Sequence, residues 1–212
     1  MTGRTLVIAA THPACTVLGP GNRFAVWVQG CPLNCPGCVS PQWIPARGGR
    51  PVAVAELARR IADEAVDGLT LSGGEPFAQA AAVRRLVELV RVRRDLSVLS
   101  YTGFTLRHLR EHGTADQRGL LAELDILIDG PYQAHRHADL RWRGSANQRI
   151  HCLTARHGDL GDGTEPGAGL QFEVTAAGAL QWLGVPPVPG FRECLEQALG
   201  MPAGARGRAG AG

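Results

Sequence analysis

The chain has 212 residues, 44% of them apolar, enough for one domain with a substantial core and no need of disulfides. All 22 basic residues are arginine, which excludes both a Schiff-base lysine and the lysine of a phosphate-binding P-loop. The net charge of +3 is small and the arginines are scattered, so nucleic acid is not expected as a partner.

No apolar run approaches the roughly 18 residues of a membrane span, and the start lacks the pattern of a secretory leader. A soluble, cytoplasmic protein with reduced thiols and no membrane partner is expected. Residues 6–10 and 24–29 read as strands, the second running directly into Cys31-Pro32-Leu33-Asn34-Cys35-Pro36-Gly37-Cys38. Residues 52–65 carry Leu57, Ala58, Ile61 and Ala65 at helical spacing, and a short strand at 69–72 follows, ending in Gly73-Gly74-Glu75-Pro76. A helix is predicted over 77–94, where Arg84, Arg85, Arg91, Arg93 and Arg94 form a solvated face opposite Val83, Leu86, Val87 and Val90. Next come a strand at 96–101, a short helix capped by Thr105, and strands at 125–129 and 150–154. Residues 156–169 read as a loop. Strands at 170–174 and 179–183 flank a Thr-Ala-Ala-Gly turn, a helix at 191–199 follows, and the Gly, Ala and Arg tail from Met201 is expected to be disordered. The alternation of strands and helices predicts a mostly parallel sheet.

Six cysteines do not make a secreted disulfide framework here, because three crowd into eight positions while Cys15, Cys152 and Cys194 stand singly. The C-x3-C-x2-C loop supplies three thiolates where a closed site needs four. An iron-sulfur cluster held by Cys31, Cys35 and Cys38 keeps one iron open to an outside ligand. Pro32, Pro36 and Gly37 provide turns that such a loop needs. Two alternatives stay open on the residues alone. A zinc site could recruit His12, His108 or a distant cysteine, and an electron-transfer cluster could recruit Cys15, Cys152 or Cys194.

Gly73-Gly74-Glu75 lies at the carboxyl end of a predicted strand, where α/β folds place their ligands. Two glycines allow close backbone approach and leave carbonyls free for an ammonium group, while Glu75 adds charge or braces the loop. Together with the cysteine run, these residues resemble the radical S-adenosylmethionine enzymes. The resemblance implies a [4Fe-4S] cluster on Cys31, Cys35 and Cys38. It also implies an S-adenosylmethionine pocket lined by Gly37, Cys38, Val39, Gly73, Gly74 and Glu75, and reductive cleavage to a 5′-deoxyadenosyl radical and methionine.

Five further blocks between about residues 15 and 155 narrow the resemblance: Leu18-Gly19-Pro20-Gly21-Asn22-Arg23-Phe24, Val28-Gln29-Gly30-Cys31-Pro32, Tyr101-Thr102-Gly103-Phe104, Ile128-Asp129-Gly130-Pro131-Tyr132 and Arg143-Gly144-Ser145-Ala146-Asn147-Gln148-Arg149. They look like the activating proteins of anaerobic ribonucleotide reductase. That family implies a large glycyl-radical protein as substrate and a flavodoxin or ferredoxin as electron donor. Val39-Ser40-Pro41 departs from the aromatic or His and Asn-Pro common after the third cysteine, which alters the pocket near the adenine. Asp129 caps a strand end, holds a ribose hydroxyl, or is an edge carboxylate in solvent; Arg143 and Arg149 either tie a loop to the sheet or dock a ligand or partner. A peptide or small molecule as the radical's target, and a non-catalytic iron-sulfur or zinc protein, are the alternative functions. The fold expected from the resemblance is α/β, an open partial (βα) barrel of mostly parallel strands with a C-terminal β-hairpin and helix. The core domain would span residues 1–155, a C-terminal extension packed on it 156–200, and a tail 201–212.

Overall fold

The computed structural model describes residues 3–161, 163, 165–174 and 180–200. The predicted hairpin turn at 175–178 and the predicted tail lie outside them. In chain order the elements are β1 (Thr5–Cys15), β2 (Arg23–Val28), β3 (Arg50–Ala53), α1 (Val54–Asp63), β4 (Gly68–Gly73), α2 (Ala80–Arg91), β5 (Ser97–Tyr101), α3 (Leu106–His112), α4 (Ala115–Ala122), β6 (Ile126–Asp129), β7 (His137–Leu140), β8 (Arg143–Ser145), β9 (Arg149–Cys152), β10 (Leu170–Val174), β11 (Leu180–Gly184) and α5 (Phe191–Ala198). Short 3-10 turns at Pro41–Trp43 and Pro76–Gln79 follow the cysteine run and the Gly-Gly-Glu loop.

A seven-stranded sheet runs in the order β3-β1-β2-β4-β5-β6-β9. Its four central strands β2, β4, β5 and β6 are parallel, as the alternating pattern predicts. The flanks are antiparallel: β1 pairs with β2 and β3, and β9 with β6, which keeps the sheet mostly parallel at its centre, as expected. Residues 50–53, adjoining and overlapping the predicted helix, form β3 instead. Pro51 lacks an amide donor, which an edge strand tolerates, and the helix starts only at Val54. β1 extends well past the predicted residue 10, because Thr11 and His12 are buried although polar.

Alternate residues of each central strand face opposite sides. Phe24, Val26, Val28, Leu69, Leu71 and Val98 pack under the helices with Leu57 and Ile61 of α1, Val83, Leu86 and Val87 of α2, and Leu109 and Leu120 from α3 and α4. Each such fully buried aliphatic side chain contributes about 2 kcal/mol. Arg91 leaves the solvated face of α2 to pair with Glu123 at 3.2 Å and Asp125 at 3.1 Å. On the other face Ala25, Trp27 and Cys15 meet Leu183 of β11, while Leu99, Ile126 and Ile128 meet Trp142. Among the described residues no helix is long and apolar enough to cross a membrane.

The amino ends of the parallel strands are tied by Arg23, which is fully buried. Its Nε donates to Thr70 Oγ1 at 2.7 Å, Nη1 to Pro20 O and Ser97 Oγ at 3.0 and 2.9 Å, and Nη2 to Leu69 O and Ser97 O at 2.8 and 3.0 Å. Five donors meet five acceptors drawn from β4, β5 and the Gly19-Pro20-Gly21 turn. Burial lowers the guanidinium to about 10, still far above neutrality. Gly19 and Gly68 make the room, since a Cβ at either would run into the Arg23 side chain.

Candidate functional site

The register of the parallel pairs decides which loops meet. Val28 at the end of β2 lies opposite Gly73 at the end of β4, so the cysteine run and the Gly-Gly-Glu loop leave the sheet side by side. The Gly74 N–H donates to Val28 O at 2.7 Å and the Glu75 N–H to Gly30 O at 2.9 Å. A Cβ on Gly73 would overlap the Val28 backbone nitrogen, and one on Gly74 the Gly30 carbonyl oxygen. What approaches these glycines closely is therefore the root of the cysteine loop. Both glycines are half-buried.

The loop itself is shaped by left-handed residues: Gly30 at φ +94°, Asn34 at +45° and Gly37 at +71°. Asn tolerates this conformation, and the two glycines take it at no steric cost. Gly37 also sits close against its surroundings, its would-be Cβ 3.1 Å from Ala134 Cβ. Cys31, Cys35 and Cys38 are all half-buried, and none forms a disulfide. Burial pushes the Cys35 and Cys38 thiols up, opposed by the backbone N–H groups of Tyr132 and Ser40 respectively; the neighbouring cysteines push them up further. A cationic iron-sulfur core would offset that repulsion at Cys35 and Cys38. Among the described residues no three His, Cys, Asp or Glu side chains converge as one metal ion would require. A four-iron cluster spreads its thiolates over separate irons. Three unpaired, half-exposed thiols on one loop fit that donor set.

Two residues outside the predicted site fix the loop. Gln29 Nε2 donates to the carbonyls of Gln42, Pro45 and Arg47 at 3.3, 2.7 and 3.2 Å, pinning the chain that returns from Cys38. Gln79 Nε2 donates to Val7 O and Gln29 O at 2.9 and 3.1 Å, and its Oε1 accepts from the Val7 N–H at 2.9 Å. A glutamine directly after an apolar strand and just before the cysteines was the available signal.

Glu75 is 1% exposed and turned inward. Its Oε1 accepts from Thr102 Oγ1 at 2.9 Å and the Phe77 N–H at 3.0 Å, and its Oε2 from the Gly103 N–H at 2.8 Å. Of its two predicted uses, bracing the loop is the one these bonds perform: the carboxylate joins the end of β4 to the end of β5. Burial raises its carboxyl to about 7, with the donors from Gly103, Phe77 and Thr102 pulling the other way. At the end of β6, Asp129 accepts from the Leu106 N–H at 2.6 Å and faces His151 Nε2 at 3.1 Å. Burial pushes that carboxyl up, but the His151 and Leu106 bonds outweigh it and hold it below its ordinary value. Asp129 therefore ties a loop and a strand.

Val39 is 36% exposed beside Cys38. Arg143 is buried and donates to Gln148 O at 3.0 Å and to Gly163 O, so it ties its loop. Arg149 is exposed. The candidate fourth ligands stand elsewhere. Cys15 pairs with Arg23 and Cys152 with Ile126, both at the amino ends of parallel strands, and Cys194 is exposed on α5. His12 is bound to Glu173, and His108 stacks on Phe104 with ring centroids 5.3 Å apart.

Residues 17–151 match the model of a 4Fe-4S single cluster domain. The chain is 36% identical over 154 residues to the anaerobic ribonucleoside-triphosphate reductase-activating protein of Vibrio cholerae, a match that covers 68% of this chain and 96% of the relative. Proteins of the same name are 32% identical in Enterobacteria phage T4, over 66% of this chain and 89% of theirs, and 31% identical in Escherichia coli K12, over 67% and 96%.

Proposed function

We propose, because this chain belongs to the family of anaerobic ribonucleoside-triphosphate reductase-activating proteins, that it is a radical S-adenosylmethionine enzyme which installs a glycyl radical on an anaerobic ribonucleotide reductase. Cys31, Cys35 and Cys38 hold the [4Fe-4S] cluster. Gly37, Val39, Gly73 and Gly74 line the place of S-adenosylmethionine, and Glu75 keeps the shape of that lining. When bound, the cluster supplies the electron that splits the sulfonium into methionine and a 5′-deoxyadenosyl radical, which takes a hydrogen atom from a glycine of the reductase.

The protein's own residues orient and shield. Gln29 and Gln79 fix the two ends of the cysteine loop, while Glu75 and Thr102 hold the Gly-Gly loop against β5. Half-exposed cysteines leave a flavodoxin or ferredoxin able to approach. The cytoplasm, where thiols stay reduced, is the proposed setting. Residues 1–155 act as the core, an open partial (βα) barrel built on the four parallel strands, and residues 156–200 as an extension on it.

The observation that carries this reading is the pairing of Val28 with Gly73, which sets a three-thiol loop against a Gly-Gly loop at the carboxyl end of a parallel sheet. Anoxic reconstitution with iron and sulfide, reduction, and mixing with S-adenosylmethionine and an anaerobic reductase test it. A glycyl-radical electron paramagnetic resonance signal on the reductase, with 5′-deoxyadenosine formed, is expected. A fully protein-ligated centre, or none, overturns it.

A further inference from the structure

The hairpin of β10 and β11 lies past residue 151, where the match to the 4Fe-4S domain ends. Relatives covered over 96% of their length engage only 68% of this chain. How the hairpin sits indicates what it does. Gln171, Glu173 and Leu183 turn toward the sheet, while Phe172 and Val174 are 47% and 73% exposed. Leu183 packs with Cys15, Ala25 and Trp27 on the face opposite the helices, and Val185 joins the same cluster beside Trp43 and Tyr101. A Cβ on Gly144 would stand 3.5 Å from Val185 Cγ1 and 3.3 Å from the Tyr132 ring, and the Tyr132 N–H faces Cys35. Leu183-Gly184-Val185 therefore crosses the helix-free face and ends beside the cysteine loop. Between its two apolar anchors stands a glycine at φ +119°, a conformation that side chains disfavour.

We infer that Leu183-Gly184-Val185 occupies, in the free protein, the surface that receives the glycine-bearing segment of the reductase, so that the hairpin competes with the substrate. This rests on the function proposed above. A backbone glycine in another protein has to arrive on an extended chain whose neighbouring side chains fill apolar hollows, and the chain's own segment has that form. The hairpin's attachment suits a removable occupant. Gln171 and Glu173 of β10 carry polar contacts with β1 and the following turn. Glu173 meets His12 Nε2 at 2.8 Å, while the Ala14 N–H donates to His12 Nδ1 at 3.2 Å and leaves the ring proton to face the carboxylate. Gln171 accepts from the Thr16 N–H at 3.0 Å and donates to Ala14 O at 2.8 Å. Such bonds contribute about 1 kcal/mol each. In the same cluster the Tyr101 hydroxyl is buried with no hydrogen-bond partner among the described residues, a cost the hairpin leaves uncompensated.

Two measurements on the full, anoxically reconstituted chain decide the matter. Amide hydrogen exchange of residues 180–185 is expected to quicken about tenfold when the reductase is added; unchanged or slower exchange overturns the inference. The double variant Gln171→Ala, Glu173→Ala, which touches neither the cysteine loop nor the Gly-Gly loop, is expected to bind the reductase at least about tenfold more tightly, since it removes all three of these hydrogen bonds. Equal or weaker binding overturns it. If the wild-type chain installs the glycyl radical while its hairpin exchange is unchanged, the proposed function stands and this inference alone falls. If no reductase binds and no radical forms, both fall.

Discussion

The two ends of the four parallel strands solve opposite problems. At the amino end one buried side chain, Arg23, has all five of its donors matched. At the carboxyl end three cysteines remain half-buried and unpaired. The glycines differ in the same sense. Gly19 and Gly68 clear space for a resident side chain, whereas Gly73 and Gly74 let one loop press on another. Polar groups are fully matched at the amino end, and thiols are left unpaired at the carboxyl end.

Substitutions that separate the two ends give the sharpest contrast. Changing Cys31, Cys35 or Cys38 to Ala should abolish 5′-deoxyadenosine formation, read by chromatography after anoxic reduction. The cluster-free protein's unfolding free energy should move by no more than about 0.5 kcal/mol. Arg23→Ala should do the reverse to stability, costing about 3–5 kcal/mol in urea unfolding, because it leaves a cavity and strands buried acceptors on β4 and β5. Arg23→Lys should recover only part, since an ammonium lacks the planar fork. If the cysteine changes unfold the protein and the Arg23 change does not, the division of labour between the ends is wrong.

Glu75 gives a smaller and pH-dependent test. Its carboxyl is raised to about 7 from an ordinary 4.5, so the folded state holds the proton more tightly than the unfolded state. Its contribution is complete below the unfolded value and is lost as the pH rises through about 7, on the order of 3 kcal/mol in all. Glu75→Gln should flatten the stability curve between about pH 5 and about pH 8, measured by urea midpoints. A slope equal to wild type would mean that the carboxyl is not the titrating group. The smallest effect is expected at Cys152 and Cys194, both exposed. Replacing either with Ser should leave stability within about 0.5 kcal/mol and cofactor cleavage unchanged.

The carboxyl end was far more legible than the amino end, for a physical reason. Cys31, Cys35 and Cys38 announce themselves by local spacing, as does Gly73-Gly74-Glu75. Arg23 acts through Thr70 and Ser97, 47 and 74 positions away, and no local pattern reports such a meeting. Helix α4, absent from the predicted elements, is different: Thr114 and Gln117 form a reciprocal capping box, a signal local to the sequence. β1 runs beyond its apolar stretch because Thr11 and His12, though polar, are buried, and His12's partner Glu173 lies 161 positions on. The parallel centre followed from the strand and helix alternation. The antiparallel flanks could not, since pairing direction at a sheet edge depends on where long connections return.

Glu75 and its neighbours bear on how this chemistry could be moved to another scaffold. The Glu75 N–H donates to Gly30 O, the Thr102 hydroxyl and the Gly103 N–H donate to the Glu75 carboxylate, and the Gly130 N–H donates to Phe104 O, lacing four strand tips in sequence. The transplantable unit is accordingly not the eight-residue cysteine run. A graft that omitted Gln29, Gln79, Glu75 and Thr102 would carry the sulfurs without the frame that holds them in register.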